Sequence, residues 1–177
     1  MTTPSAMCRR ALLLGGAAVV IGAPVRAQSS NAFVPWRPAK APTLQATDLQ
    51  TEQARSLADF AGHPLIVNFW ATWCGPCRVE LPSLNTIANR YASRRLQLLA
   101  INHGEMPERV RRFLDEVPIH GTVLLDRSTR QLAAWGMRGL PASFMLDPKG
   151  RPRFMASGEI DWSAAEVVAT LEKVMAG

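Results

Sequence analysis

Leu65-Ile66-Val67-Asn68-Phe69-Trp70 is a near-continuous apolar run, rich in branched and aromatic side chains. A run of that length and kind reads as a strand buried on both faces, which requires packed layers above and below it. Ala71-Thr72-Trp73 then turns the chain. Beyond the turn, Val79, Leu81, Leu84, Ile87 and Tyr91 recur at helical spacing. The pattern predicts a helix that starts at or near Cys74 and is kinked by Pro82. On this junction sits Trp73-Cys74-Gly75-Pro76-Cys77. Two cysteines separated by two residues can close a small disulfide and reopen it, a two-electron switch that needs no cofactor.

Strand and helix signals alternate through the rest of the chain. Leu96 to Ile101 reads as a second apolar strand, and Pro107 to Val117 as a helix with Val110, Phe113 and Leu114 inward. Val123-Leu124-Leu125 is a short strand. Ser128 to Trp135 reads as a helix with Ser128 as its N-cap and Gly136 as its stop. Ala142 to Leu146 is another strand, and Asp147-Pro148-Lys149-Gly150 has the composition of a turn, so Arg151 to Ala156 should return as its hairpin partner. Asp161 or Ser163 is expected to cap a last helix with Val167, Val168, Leu171 and Val174 on its apolar side. Upstream, a β-hairpin is expected around Thr43–Thr47 and Arg55–Ala58. The order predicts one α/β domain over residues 43–177: a central mixed β-sheet flanked by helices on both faces, with an N-terminal β-hairpin extension.

The first 27 residues read as an export signal. Arg9-Arg10 is a positive start, Ala11 to Ala23 is uncharged and apolar, and Val25-Arg26-Ala27 offers a cleavage site. The apolar run is shorter than the roughly 20 residues a spanning helix needs; left uncleaved, it would act as an anchor. The arginine pair also resembles twin-arginine signals. Residues 28–42, with Pro35, Pro38 and Pro42, read as an extended leader. The whole chain has 20 Lys and Arg against 14 Asp and Glu, a net charge of +6. Cleavage after Ala27 removes Arg9, Arg10 and Arg26, which leaves 6 − 3 = +3. With no long basic run, nucleic acid is not an expected partner. Cleavage also removes Cys8, so the mature chain keeps two of the 3 cysteines, both in the close pair. Two cysteines make no structural framework, and their use must be local.

A cysteine at a helix start lies beside unpaired backbone N–H groups and the positive end of the helix dipole, and both stabilise a thiolate. Cys74 is therefore read as the exposed attacking thiolate and Cys77, within the first turn, as the more buried resolving thiol. Gly75 permits a tight turn, and Pro76 suits an early helical position where no N–H partner is needed. A zinc site would need a second such pair, and His63, His103 and His120 show no ligand spacing. Haem attachment would need His at the position held by Arg78. Two thiolates with a distant His103 or His120 would suit copper, which leaves a copper-binding role open. Arg109, Arg111 and Arg112, like Arg151 and Arg153, read as solvated faces.

The segment Val67 to Arg78 resembles the active-site segment of thioredoxin-fold proteins, and is most similar to the exported TlpA/ResA-like disulfide reductases. Glu80-Leu81-Pro82 fits their kinked active-site helix. Gly139-Leu140-Pro141-Ala142-Ser143-Phe144-Met145-Leu146-Asp147 resembles their cis-proline loop and following strand, and Gly158 with Asp161-Trp162 their C-terminal segment. The resemblance spans about residues 42 to 175. It implies a thioredoxin-like fold, with Leu140-Pro141 facing the cysteine pair and the Leu140 backbone pairing with a bound peptide. Trp73, Gly75 and Pro76 would shape the docking surface. The family shares Asn68 where thioredoxin has a buried Asp, and carries an active-site Glu instead. Ala100-Ile101-Asn102-His103-Gly104-Glu105 resembles the segment bearing it, which points to Glu105. That Glu, desolvated, would have a raised pKa and relay the proton of Cys77, so Glu105→Gln should change the pH profile of thiol reactivity.

The implied activity is protein-disulfide reduction in the periplasm, without cofactor or metal. The implied client is a protein disulfide such as that of apocytochrome c or of a copper-site protein. A membrane donor would supply the reducing equivalents, and a monomer is expected. An oxidase or isomerase on the same fold is the rival enzyme reading, and a copper-binding chaperone the rival binding role.

Overall fold

In the computed structural model of the chain, which describes residues 1, 32–38 and 42–177, all six residues of Leu65–Trp70 are buried in a strand. Residues 2–27 of the export signal and residues 28–31 and 39–41 of the leader lie outside the described residues. Among the described residues the strands are β1 (Val34–Pro35), β2 (Gln45–Asp48), β3 (Ala54–Ser56), β4 (Leu65–Trp70), β5 (Gln97–His103), β6 (Thr122–Asp126), β7 (Ala142–Leu146) and β8 (Pro152–Ser157). The α-helices are α1 (Gly75–Arg90), α2 (Pro107–Glu116), α3 (Arg130–Ala134) and α4 (Ala165–Met175).

One sheet runs in the order β1-β8-β7-β4-β5-β6-β2-β3. β4, β5 and β6 are parallel. The remaining neighbours pair antiparallel, so the sheet is mixed, as expected. β2 and β3 form the N-terminal hairpin, with Ala46 opposite Arg55. The leader adds an edge strand: Val34 pairs with Met155, and the Trp36 N–H donates to Arg153 O at 2.8 Å.

Strand alternation sorts the side chains into layers. Leu65, Val67 and Phe69 face one side, where they pack with Leu99, Ile101, Phe144, Leu132 of α3, and Trp135. Phe144 is fully buried, with its ring edge-on to those of Trp36, Phe69 and Trp135 at 5.6, 6.1 and 4.7 Å. On the other face Ile66, Leu98 and Met145 meet Leu81, Leu84 and Ile87 of α1 and Val167, Leu171 and Val174 of α4. Trp70, Ala100, Val123 and Leu125 meet Val110 of α2 and both cysteines on the same side. Phe144→Ala should therefore destabilise the domain by about 3–5 kcal/mol. Urea unfolding measures it; a loss of under about 1 kcal/mol would show that the cluster does not hold this face together.

Two caps differ from the sequence reading. α3 starts after Thr129, which holds a left-handed φ of 59°, so Ser128 lies outside it. Asp126 shares the work expected of Ser128: its carboxylate accepts from Gln131 N at 2.8 Å and from the Ser128 hydroxyl at 2.7 Å, while Ser128 Oγ accepts from Arg130 N at 3.3 Å. α4 has Ala164 as its N-cap, with no side-chain cap. Asp161 instead accepts from the Ser163 N–H at 2.9 Å, which closes the turn before the helix. In both places a side chain found a nearer backbone partner in a turn. The arginine faces are exposed, and several of their guanidinium groups also pair with carboxylates. Arg151 and Arg153 both pair with the buried Asp147, at 2.7 and 3.3 Å. Arg111 reaches Glu52 at 3.1 Å.

Candidate active site

Cys74 is the N-cap residue of α1, where the strand β4 delivers the chain through a turn closed by Cys74 N donating to Ala71 O at 3.1 Å. The two sulfurs are joined in a disulfide with the Cα atoms 5.3 Å apart. The Cys77 N–H points at the Cys74 sulfur, 3.2 Å away. That is the helix-start donor a thiolate at this position would use. Cys74, expected to be exposed, is buried at 4 % exposure beside Cys77 at 0 % in the disulfide form. Around them Gly75 and Pro76 are exposed, Trp73 is 62 % exposed and Val79 64 %. The Leu140–Pro141 bond is cis, and Leu140 packs against the apolar cluster that contains both cysteines. Arg78 lies over the Phe113 ring at 5.4 Å, and that ring in turn stacks on Trp70.

Glu105 does not have the environment expected of it. Gly104, at φ +79°, turns the chain off β5 and brings the Glu105 carboxylate against the active-site turn. There it accepts from Thr72 N at 2.7 Å, from the Thr72 hydroxyl, and from Asn102 Nδ2 at 2.8 Å. Arg109 Nε lies 2.8 Å from Oε1. Burial pushes the carboxyl up, but the Thr72 and Asn102 hydrogen bonds and the Arg109 charge outweigh it and hold the pKa below its ordinary value. The raised pKa expected for Glu105 is thus corrected: at neutral pH it is an ionised tether of the turn that precedes Trp73-Cys74.

The carboxyl with a raised pKa is Glu80, one helical turn beyond Cys77. It is 1 % exposed. Burial is the main cause, and the Glu159 charge adds to it; the donors on Ile160 and Asn68 oppose it, and the value is pushed up to about 7. Oε1 accepts from Asn68 Nδ2 at 2.7 Å and Oε2 from Ile160 N at 3.0 Å. Asn68 Nδ2 also donates to Ser143 Oγ at 3.0 Å. Ser143 is buried in β7 two residues past Pro141. Sequence reasoning missed Glu80 as a site residue, although a signal was present. A carboxyl at 80 falls between Cys77 and Leu84, on the helical face that the apolar spacing turns toward the sheet.

Among the described residues, no group of three or more His, Cys, Asp or Glu side chains comes together in a way that could hold a metal. His120 N donates to Asn85 Oδ1 at 2.8 Å, and its ring hydrogen-bonds Asn89. No helix among the described residues is long and apolar enough to cross a membrane.

Residues 38–155 match the AhpC/TSA family. The chain is 32% identical over 118 residues to the thiol-disulfide oxidoreductase ResA of Geobacillus thermodenitrificans, covering 67% of each chain. It is 32% identical over 95 residues to the thiol-disulfide oxidoreductase ResA of Bacillus subtilis, covering 54% of this chain and 53% of that one. Among solved structures it is similar to a thiol:disulfide interchange protein DsbE from Chlorobium tepidum. That match has a TM-score of 0.67 and 28% identity, and covers 77% of this chain and 94% of that chain.

Proposed function

The chain belongs to the AhpC/TSA family and is a thiol–disulfide oxidoreductase of thioredoxin-like fold; we propose that it is an exported reductant of client-protein disulfides, acting through Cys74 and Cys77 with Glu80 as the proton acceptor. The observation that carries this reading is the cysteine pair at the start of α1 with a buried carboxyl of raised pKa one turn behind it.

The chemistry runs in two displacements. The Cys74 thiolate attacks one sulfur of the client disulfide, a Cys74–client bond forms, and the other client sulfur leaves as a thiolate. Cys77 then yields its proton to Glu80, its sulfur attacks Cys74, and the second client thiolate leaves. The client gains two electrons and the dithiol loses two. Trp73, Gly75 and Pro76 offer the docking surface, with the Leu140 backbone before Pro141 as the strand-like contact. A membrane donor restores the dithiol. Export, through the segment before residue 28, would place the protein in the periplasm, where apocytochrome c or a copper-site protein is the client.

The potential tests the direction of electron flow. A value near −270 mV, as in thioredoxin, is expected; one near −120 mV would make the protein an oxidant and overturn the reductase reading. The reduced protein should also fail to bind Cu(I) tightly through Cys74 and His103 or His120. In this scheme Glu105 holds the turn and takes no proton. Glu105→Gln is thus expected to leave the pH midpoint of thiol reactivity unmoved and to cost about 2 kcal/mol in stability at pH 7. Its depressed folded pKa gives a contribution that is present at neutral pH and lost as the pH falls through that value. Iodoacetamide trapping across pH and urea unfolding read the two effects, and a moved midpoint would return Glu105 to the chemistry.

A further inference from the structure

We propose that Asn68 is a reversible hydrogen-bond partner of Glu80, donating through Nδ2 to the carboxylate and, after its amide turns over, accepting through Oδ1 from the carboxylic acid. The inference rests on the role given to Glu80 above and deepens it, since it says how a buried carboxyl is accommodated in both protonation states. Four observations carry it.

The two oxygens of Glu80 are not equivalent. Oε2 faces the Ile160 N–H, a donor in every state, so a proton placed there would meet another proton. The acid proton therefore belongs on Oε1, which faces Asn68. The distances suit both orientations. The 2.7 Å contact from Asn68 to Oε1 lies in the range of N–H···O and of O–H···O bonds alike. The 3.0 Å contact to Ser143 does so as well. An amide's oxygen and nitrogen are nearly the same size, so the turn moves no heavy atom far.

Ser143 is a hydroxyl, which accepts from Nδ2 in one orientation and donates to Oδ1 in the other. At the remaining corner of the amide, Asn68 Oδ1 is buried and has no hydrogen-bond partner among the described residues. Turning the amide thus breaks no third bond, and each orientation keeps two. An ionised aspartate at this position could not donate to ionised Glu80, and an apolar residue could serve neither state. The Glu159 charge acts on Glu80 as well, and Cys77 lies on the same helix in a disulfide.

Neutron diffraction from deuterated crystals of the oxidised, full protein at pH 5 and pH 9 tests this directly. Nδ2 should face Glu80 at pH 9 and Oδ1 at pH 5. Nδ2 facing Glu80 at both pH values would overturn the proposal. A second measurement uses the carboxyl carbon shift of Glu80 by NMR. Asn68→Leu should move its midpoint up by about one pH unit, because the lost bond to the ionised form is stronger than the one lost to the acid. A midpoint that stays in place while the variant merely loses stability makes Asn68 a packing residue only. If instead the carboxyl titrates and the amide turns, but Glu80→Gln leaves the pH profile of disulfide exchange unaltered, the catalytic role of Glu80 fails and the amide pairing survives.

Discussion

Cys77→Ser will leave the protein joined to its client through Cys74, as a mixed disulfide stable in the absence of reductant. Cys74 still attacks, because its place at the N-cap of α1 and the Cys77-position N–H do not depend on the lost sulfur. The resolving sulfur is missing, so the second displacement cannot occur. Turnover should fall to the uncatalysed background, and Cys74→Ser should fall equally far without trapping anything. Non-reducing electrophoresis shows the adduct, and mass spectrometry of the captured partner names the client class. Equal trapping by the two serine variants would reverse or remove the roles assigned to the cysteines. The place of Cys74 at the N-cap of α1, with the N–H at position 77 aimed at its sulfur, is the physical basis for the asymmetry.

Glu80→Gln should slow the resolving step and stabilise the fold, both in a pH-dependent way. In the native protein the carboxyl is ionised above about 7 and can take the Cys77 proton there. Resolution should therefore rise with pH through that value. The amide has no base to offer, so the step near pH 7 disappears and the rate at pH 8 falls by about 100-fold or more. Single-turnover release from a mixed disulfide between pH 5 and pH 9 measures this; an unaltered profile would remove Glu80 from the mechanism.

The stability effect has the opposite sign. The folded pKa of about 7 lies above the ordinary value of 4.5. Folded protein thus binds a proton more tightly than unfolded chain does, and stability is highest below the lower value. It is lost progressively as the pH rises through the upper one. The full loss is about 3 kcal/mol from a shift of that size. Glu80→Gln should recover most of it at pH 8 and little at pH 4. The conflict is what one expects where a buried ionisable group is kept for chemistry rather than for folding.

Much of the fold is legible in the amino-acid sequence. The run Leu65–Trp70 is apolar at every position but one, and only a strand covered on both faces can use such a run. Helical spacing beyond Cys74 and the turn composition of Asp147 to Gly150 were strong local signals, and the elements they predict are present. The caps of α3 and α4 were not legible. Ser128, Asp161 and Ser163 each carry the right chemistry for a cap, and the choice among them depends on which backbone N–H groups the turns bring within reach.

The candidate site divides in the same way. Trp73-Cys74-Gly75-Pro76-Cys77 carries its chemistry in its own spacing, because a strand-to-helix junction places the first cysteine at a helix start. The proton partner could not be read so. Glu80 and Glu105 are both near the pair in sequence or by family resemblance, and both are buried carboxyls. What separates them is their neighbours from distant parts of the chain. Glu105 meets Thr72, Asn102 and Arg109, which compensate its charge. Glu80 meets one amide, one backbone N–H and the Glu159 charge, which do not. The sequence by itself determined the mixed sheet and the close cysteine pair, since local spacing and side-chain chemistry decide them, and the reaction class followed from the family resemblance. Only the tertiary structure decided which acid has its pKa raised toward neutrality, because the free energy of a buried charge is set by every dipole and charge around it, and those come from separate segments of the chain.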